Sequence, residues 1–321
     1  MAAPAGDRGR STAGGVPRRR PRLAVTVGDP RGIGPEIVAA ALGDRRIREA
    51  CTTYVIGPAG TAAAVDEPLG SWTARGSEAD AGRFAGRAVE RAARMALAGE
   101  VDGIVTAPLD KHALLAGGFD YPGHTEMLSE IAGVPVAMML ASDKLRVVLA
   151  TTHIALREVP RALTSAAIAS AAEITRAGLR DWFGIAEPRI ALCALNPHAG
   201  DGGRFGREDD DLLAPAARAA HLAGPFPADT VFVRAIRGAF DAVIAPYHDV
   251  GMTAIKVASF GSAVNVTLGL PFPRTSPDHG TALDIADTGK ADPASFIEAM
   301  LLCARIAART TAPSPDPAPH R

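Results

Sequence analysis

Three histidines each follow a short apolar run of the sequence. His153 follows RVVLATT, His198 follows RIALCAL with Asn-Pro between, and His248 follows DAVIA with Pro-Tyr between. Such runs predict buried strands, and a core strand gains nothing from a titratable group at its end. Taken singly, each histidine is more often a hydrogen-bonded loop residue. Three in matching places favour a catalytic site for a divalent ion such as zinc, cobalt, nickel or manganese.

An aspartate stands beside the last of these histidines. Asp249 follows His248 directly, and a carboxylate in that place orients a ligating imidazole or contacts the ion itself. We therefore count Asp249 among the candidate catalytic residues. Two further histidines, His112 and His221, lie in Ala/Leu-rich helical sequence, and we expect both at the surface.

Two groups of side chains are suited to binding an anion. His124 and Thr125 follow a glycine in YPGHTEML, at a predicted helix start where a phosphate or carboxylate binds well; the alternative is a Thr125 cap with His124 exposed. Lys256, Asn265 and Arg274 interrupt apolar sequence further along, the last in a Pro/Gly-rich loop. Together these three can hold a dianion such as a phosphate monoester, although Lys256 alone also fits a plain surface position.

The loop GDPRGIGPE, residues 28–36, joins a predicted strand to a predicted helix. It matches neither GxGxxG nor GxxxxGK[ST], so it predicts no nucleotide fingerprint, and a kinase is disfavoured. Two interpretations stand equally: a tight strand–helix turn, or a loop whose backbone lines a cleft.

Composition limits the class of protein. The chain has 321 residues, of which 47% are hydrophobic, and a net charge of −1. No apolar run is long enough to cross a bilayer, and the charge balance argues against a nucleic-acid surface. The three cysteines are far apart in apolar sequence, which predicts buried free thiols in a reducing, cytoplasmic compartment. Residues 1–21 and 312–321 are rich in Gly, Pro or Arg, and we predict disordered tails there.

Short β-branched runs alternate with Ala-rich helical stretches between these tails. This alternation predicts an α/β fold with a largely parallel sheet. Ligands gather at the carboxyl ends of strands in such sheets, so the residues that follow each apolar run are the diagnostic ones.

A series of longer strings resembles one enzyme family. GDPRGIGPEI, YPGHTE, TTHIALRE, LNPHAGDGGRFGRE, GPFPADT, YHDVGM and NVTLGLPFPRTSPDHGTALDIADTGKADP are similar to the 4-hydroxythreonine-4-phosphate dehydrogenase (PdxA) family of pyridoxine biosynthesis and its paralogues, in the family's order over about residues 22–309. HGTALDIADTGKADP also resembles a loop of isopropylmalate and isocitrate dehydrogenases, the wider superfamily.

The resemblance implies an isopropylmalate dehydrogenase-like fold with two α/β/α domains flanking a cleft. One domain would join residues 22–120 with 265–311, and the other, residues 121–264, would form a homodimer interface. The implied metal ligands are His153, His198 and His248, with His248 donated in trans by the second subunit. The residues implied to contact the substrate are His124, Thr125, Lys256, Asn265 and Arg274. The residues implied to contact NAD or NADP are Asp278, His279, Gly280, Thr281 and Asp284.

The implied reaction is a metal-dependent, NAD(P)-linked oxidation of a phosphorylated four-carbon hydroxy acid of the 4-hydroxythreonine 4-phosphate type, followed by β-decarboxylation. The expected cofactors are one divalent ion (Zn, Mg, Mn or Co) and a nicotinamide, which carries the hydride. Lys256 is a candidate for proton transfer as well as anion binding. We expect no nucleic-acid or membrane partner.

Three departures from the family pattern bear on the substrate. Arg31 replaces a small residue of the first loop, which predicts a preference for a more acidic substrate, Val250 replaces a common glutamine, and residues 56–82 are short. Paralogues acting on 4-phosphothreonate, 4-phosphoerythronate or a terephthalate-type dihydrodiol therefore remain alternatives. An alternative of another class is a three-histidine metal hydrolase, which would share the ligands without needing the HGTALDIADTGKADP loop.

Overall fold

The computed structural model describes residues 19–259 and 261–310. The predicted tails lie outside this part of the chain, apart from residues 19–21, which have no regular structure. Within the described residues, no helix is long and apolar enough to span a bilayer. Cys51, Cys193 and Cys303 are buried and free, as predicted.

All strands of the described residues belong to one 11-stranded sheet. They are β1 (Arg22–Thr26), β2 (Thr52–Ala59), β3 (Glu67–Ser71), β4 (Gly103–Thr106), β5 (Ala137–Ala141), β6 (Arg146–Leu149), β7 (Ile190–Cys193), β8 (Ala223–Phe226), β9 (Ala242–Ala245), β10 (Val264–Leu268) and β11 (Arg274–Pro277). Their order in the sheet is β3-β2-β1-β4-β11-β10-β5-β6-β9-β7-β8.

The sheet has two parallel halves joined by antiparallel pairs. β1, β2, β3, β4 and β11 pair in parallel in one half, and β6, β7, β8 and β9 do so in the other. β10 pairs antiparallel with β11 and β5, and β5 with β6. The predicted alternation of strands and helices is thereby confirmed. The hydrophobic periodicity of the sequence did not predict the antiparallel pairs at the centre of the sheet.

The helices cover both faces of the sheet. They are α1 (Gly34–Gly43), α2 (Arg45–Ala50), α3 (Glu78–Leu97), α4 (Lys111–Ala116), α5 (His124–Ala132), α6 (Val159–Ala162), α7 (Ser165–Asp181), α8 (Ala214–Ala219), α9 (Ala228–Ile236), α10 (His248–Ala258) and α11 (Ala294–Thr310). Local sequence fixes several starts: Ser77 and Asp80 form a capping box on α3, and Asp110 and Thr164 cap α4 and α7 through their side chains.

Alternating strand residues divide the core into layers. One large apolar cluster packs α1, α7, α8 and α11 against a single face of the whole sheet. On the opposite face, one cluster joins α3 and α5 to the first half, and another joins α9 and α10 to the second half. The gap between these two groups of helices, over the central strands, is the cleft, so the predicted α/β fold with two halves flanking a cleft is confirmed.

The domain boundaries stay a prediction, because one continuous sheet joins both halves. Met127 and Leu128 of α5 pack with the first-half cluster, although α5 lies beyond the predicted boundary at residue 121. The residues 274–276 were predicted in a loop. They form the buried strand β11, which pairs with β4 through Arg274 and Thr275.

Candidate active site

A cavity of about 340 Å³ opens in the cleft, between strand ends of both halves. Leu140 and Asn265, paired across β5 and β10, form part of its floor. Its polar lining combines residues from widely separated parts of the chain: Thr106, Lys111, His124, Thr125, Glu126, His153, His248, Lys256, Asn265, Arg274, Ser276, Asp278 and His279. Most of the predicted site residues therefore share one cavity, whereas His198, Asp249, Thr281 and Asp284 do not line it.

His153 and His248 lie side by side in this cavity. Their ring centroids are 5.3 Å apart because β6 and β9, the strands that precede them, are neighbours in the sheet. Burial, with the nearby charges of Lys111 and His248, lowers the pKa of His153, which favours the neutral imidazole that binds metals. His248 Nδ1 lies 2.7 Å from Asp249 Oδ1, and the role of Asp249 in orienting the ring stays a prediction.

The prediction that His248 is the histidine donated in trans stays a prediction, and one observation weighs against it. His248 already lies beside His153 within one chain, since both follow adjacent parallel strands. His198 is the separate one, and it lines a different cavity with Asn196, Tyr247 and Asp229. Within the described residues, no cluster of three or more His, Cys, Asp or Glu side chains has metal-site geometry.

The loop that carries His198 has an unusual backbone. His198, Ala199 and Asp201 all have positive φ values, 54°, 54° and 45°. Such conformations are rare for non-glycine residues and persist only where surroundings enforce them. The buried Asp209 carboxylate accepts the backbone N–H groups of Leu195 and Asn196, which anchors the start of this loop. The loop therefore holds its histidine in a defined place, away from the His153–His248 pair.

Arg274 is the buried cation of the cavity. Only 1% of its surface is exposed, and its guanidinium donates to Thr267 Oγ1 at 3.0 Å and to Thr106 Oγ1 at 2.6 Å. Its Nε is buried without a partner. Burial lowers the pKa of Arg274 to about 10, so it stays charged near neutral pH. A buried guanidinium with an unpartnered Nε is a strong binding group for an anion.

His124 and Thr125 begin α5, as the sequence predicted, and both line the cavity. Gly123 takes the capping position, so Thr125 is not the helix cap. Part of the His124 residue is open to the cavity, but its Nε2 is shielded from solvent and has no partner. Burial and the charge of Arg274 lower the pKa of His124 well below 6.5, so the ring is neutral and presents a hydrogen-bonding group rather than a charge.

Lys256 and Asn265 complete the predicted anion group. Lys256 lies two turns beyond His248 on α10, and its Nζ is 3.9 Å from Asp278 Oδ2. Asn265 presents a buried Oδ1 without a partner. Together with the unpartnered Nε atoms of Arg274 and His124, this leaves several polar atoms that a bound ligand would satisfy.

The predicted cofactor loop lies partly in the cavity. Asp278, His279 and Gly280 line it, whereas Asp284 is exposed in a short 3₁₀ turn outside it. Thr281 accepts the backbone N–H of Ile33 at 2.9 Å, and a side chain at Gly32 would meet the Thr281 carbonyl at 2.6 Å. The 28–36 loop is therefore a turn packed tightly against the 278–284 loop, and it does not line the cavity.

Arg31 does not present a free charge to the cleft. Its guanidinium donates to both carboxylate oxygens of Asp29, which is fully buried. Asp110 and Glu78 lie 3.7 and 4.0 Å away, and hydrogen bonding to Asp29 raises the pKa of Arg31. The expectation that Arg31 selects a more acidic substrate stays a prediction, and the three carboxylates around Arg31 weigh against it.

Three charged residues of these cavities had no role assigned from the sequence. Lys111 follows the end of β4, the same kind of position that pointed to the histidines. Glu126 follows Thr125 in the YPGHTEML string and lines the cavity. In that string only the neighbouring His124 and Thr125 indicated a binding site. Asp229 lies beside His198 in the second cavity, which only the folded chain brings together.

Comparison with known proteins decides the family. The model of the PdxA family, the pyridoxal phosphate biosynthetic protein PdxA, matches residues 45–303. The chain belongs to the PdxA family.

Relatives in the PdxA family match nearly the whole chain. The 4-hydroxythreonine-4-phosphate dehydrogenase of Geobacter metallireducens is 42% identical over 330 residues, covering 91% of this chain and 97% of that protein. The enzyme of the same name from Xanthomonas axonopodis pv. citri is 43% identical, covering 90% and 99%. The resemblance read from the sequence motifs is confirmed.

Solved structures agree with the PdxA assignment. A 4-hydroxythreonine-4-phosphate dehydrogenase from Klebsiella pneumoniae has a TM-score of 0.78 at 37% identity, covering 89% of this chain and 99% of that one. A terephthalate 1,2-cis-dihydrodiol dehydrogenase from Burkholderia xenovorans has a TM-score of 0.62 at 30% identity, covering 89% and 98%. The α/β fold expected from the resemblance is confirmed.

Proposed function

We propose that this PdxA-family oxidoreductase oxidises the hydroxyl of 4-hydroxythreonine 4-phosphate with NAD or NADP, in a metal-dependent reaction that ends in β-decarboxylation. The observation that carries the proposal is the placement of the buried Arg274 guanidinium and the His153–His248 pair in one cavity. An anion site and a pair of neighbouring imidazoles are the two features that a phosphorylated hydroxy acid and a divalent ion require. The names of the relatives favour this substrate.

The chain's own residues supply binding and orientation. Arg274, with the neutral His124 and the Thr125 hydroxyl at the start of α5, suits the phosphate. Asn265 adds an amide in the same cavity. Lys256 is held near Asp278 and is available to bind an anion or to move a proton.

The metal and the nicotinamide supply the remaining chemistry. A divalent ion, when bound, would polarise the substrate hydroxyl, and the imidazoles of His153 and His248 are donors that fit it. A nicotinamide, when bound, accepts the hydride. Asp249 acts through His248, by fixing its ring orientation with a contact of 2.7 Å. Oxidation places a ketone β to the carboxylate, and such acids lose carbon dioxide readily.

A homodimer completes the proposed metal site, with His198 rather than His248 donated by the second protomer. Two ligands are fewer than a catalytic ion of this type normally has. His198 lies outside the cavity on an ordered loop, beside Phe205, whose surface is 49% exposed. A large exposed aromatic next to a potential ligand fits a contact between two copies of the chain.

Mixed dimers test this assignment directly. His153→Ala and His198→Ala chains are each expected to be inactive, but equal mixtures that exchange subunits regain about a quarter of wild-type turnover if His198 acts in trans. Half of such dimers are mixed, and each has one intact site of two. The matched mixture of His153→Ala with His248→Ala stays inactive under this assignment. Recovery only in the second mixture would instead support His248 in trans.

A substrate screen tests the reaction. We expect NAD or NADP to be reduced when 4-hydroxythreonine 4-phosphate and a divalent ion are present. The absorbance of the reduced cofactor measures this reaction. The same screen includes 4-phosphothreonate, 4-phosphoerythronate and a terephthalate dihydrodiol, the last because of the similarity to the Burkholderia xenovorans enzyme. Full turnover after removal of metal would contradict the proposed mechanism, and hydrolysis of a phosphate ester without nicotinamide reduction would favour a hydrolase.

A further inference from the structure

The His198 loop, residues 196–206, is held by two neighbouring acids that follow it in the chain. Asp209 is only 1% exposed, and each of its carboxylate oxygens accepts one backbone N–H, that of Leu195 at 2.8 Å and that of Asn196 at 2.9 Å. Glu208 Oε2 accepts the side-chain amide of Asn196 at 2.8 Å. These three contacts fix the stretch of chain just before His198.

The backbone folds closely on itself on the other side of His198. Gly200, with a φ of 83°, accepts the N–H of Phe205 at 3.1 Å, and a side chain at Gly200 would meet the Gly206 carbonyl oxygen at 2.8 Å. His198 itself has a φ of 54°, which is an unfavourable conformation for a residue with a side chain. Such a conformation persists only where its surroundings enforce it, so the contacts on both sides of His198 determine where its ring lies.

Asp209 differs from the two aspartates that follow it. Asp210 and Asp211 are exposed, and Asp211 pairs with Arg207 at the surface. The buried Asp209 carboxylate instead satisfies two N–H groups that lie beyond the last residue of β7. Hydrogen bonds to a charged acceptor are stronger than those to a neutral one. Of these three aspartates, Asp209 is therefore the one that shapes the His198 loop.

Neither Asp209 nor His198 lines the active-site cavity of its own chain. In the proposed homodimer, His198 completes the metal site of the second protomer. We propose that Asp209, assisted by Glu208, holds His198 in the place from which it reaches that site, and is thus a positioning residue for the other protomer. This inference rests on the proposed function, because it takes His198 to be donated in trans.

Binding of Co²⁺ to the metal-free protein tests this role without turnover. We expect Asp209→Asn to weaken Co²⁺ binding in calorimetry about tenfold or more, as is usual when a residue that holds a metal ligand is lost. The visible spectrum of the bound Co²⁺ should approach that of His198→Ala. Glu208→Ala removes only the side-chain contact and should have a smaller effect in the same direction. Asp210→Asn, at the exposed neighbour, should leave affinity and spectrum unchanged.

Mixed dimers distinguish positioning in trans from damage to the whole chain. An equal mixture of Asp209→Asn and His153→Ala chains should regain about a quarter of wild-type turnover. In half of the dimers, the intact cleft of the Asp209→Asn chain then meets a normal His198 loop, which restores one site of two. The mixture of Asp209→Asn with His198→Ala should not exceed the turnover of Asp209→Asn alone. Glu208→Ala enters the same mixtures and keeps the test valid if Asp209→Asn does not fold.

Unchanged Co²⁺ affinity in Asp209→Asn would overturn this inference. Recovery in neither mixture, or recovery with His198→Ala, would also overturn it, because Asp209 would then act on its own cleft or on the fold. The mixture of His153→Ala with His198→Ala separates this failure from that of the proposed function. Recovery there keeps His198 in trans and rejects only the role of Asp209, whereas no recovery there removes the trans assignment itself.

Discussion

Replacing His124 with asparagine should make the folded protein less sensitive to acid. Burial and Arg274 keep the His124 ring neutral well below pH 6.5, its ordinary pKa, while the unfolded chain takes up a proton near that pH. Below pH 6.5 the unfolded state therefore binds more protons than the folded state. The free energy of unfolding then falls as the pH falls, and the fall stops only at the lower pKa of the folded protein.

The size of the effect follows from this linkage. Consider a group with an unfolded pKa of 6.5 that stays unprotonated in the folded state. It lowers the free energy of unfolding by about 1.4 kcal/mol when the pH falls from 7.5 to 5.5. The shielded Nε2 of His124 supports nearly full exclusion, while the part of the residue that faces the cavity reduces it. We therefore expect about 1 kcal/mol from His124. Asparagine keeps a polar group at the site but does not titrate.

Urea unfolding of both proteins at pH 7.5 and pH 5.5 measures the difference. The wild-type protein should lose about 1 kcal/mol more than His124→Asn over this interval, whatever the other groups contribute to both. His112→Asn, at an exposed histidine, should lose as much as the wild type. Equal losses for the wild type and His124→Asn would refute the claim that the folded protein keeps this imidazole neutral.

Three further substitutions test particular contacts. Arg31→Met should lower the free energy of unfolding by about 2–3 kcal/mol in urea, because it strands the buried Asp29 carboxylate, and adding Asp29→Asn should recover part of that loss. Arg274→Lys should raise KM for the phosphorylated substrate at least tenfold in the nicotinamide assay, since one ammonium does not span two threonine hydroxyls. Gly82→Ala should lower Tm by several degrees, because its methyl would lie 1.7 Å from a carbonyl oxygen of α4, whereas Gly43→Ala, with open space around it, should not.

Local patterns predicted the positions of the chemistry well where each signal was contained in a short stretch. The apolar runs before His153 and His248 became β6 and β9, and the glycine before His124 became the start of α5. The stretch around Arg274 misled, because its prolines and glycines are typical of loops, while pairing with β4 and β10 makes it a buried strand. Pairing partners distant in the chain override local propensity there.

The sequence by itself determined the family, the alternation of strands and helices, and the kinds of side chain at the strand ends, because these depend on residue type and short-range periodicity. Tertiary structure decided which of those ends meet. The parallel neighbours β6 and β9 bring His153 to His248, whereas β7 is also a parallel neighbour of β9 but its following loop, with positive φ at His198, places His198 in a separate cavity. It also decided that Asp110 and Glu78, from two distant segments, join the neighbouring Asp29 around Arg31. No sequence spacing encodes these contacts. They follow from the order of the strands in the sheet and from the free-energy cost of burying a charge without a partner.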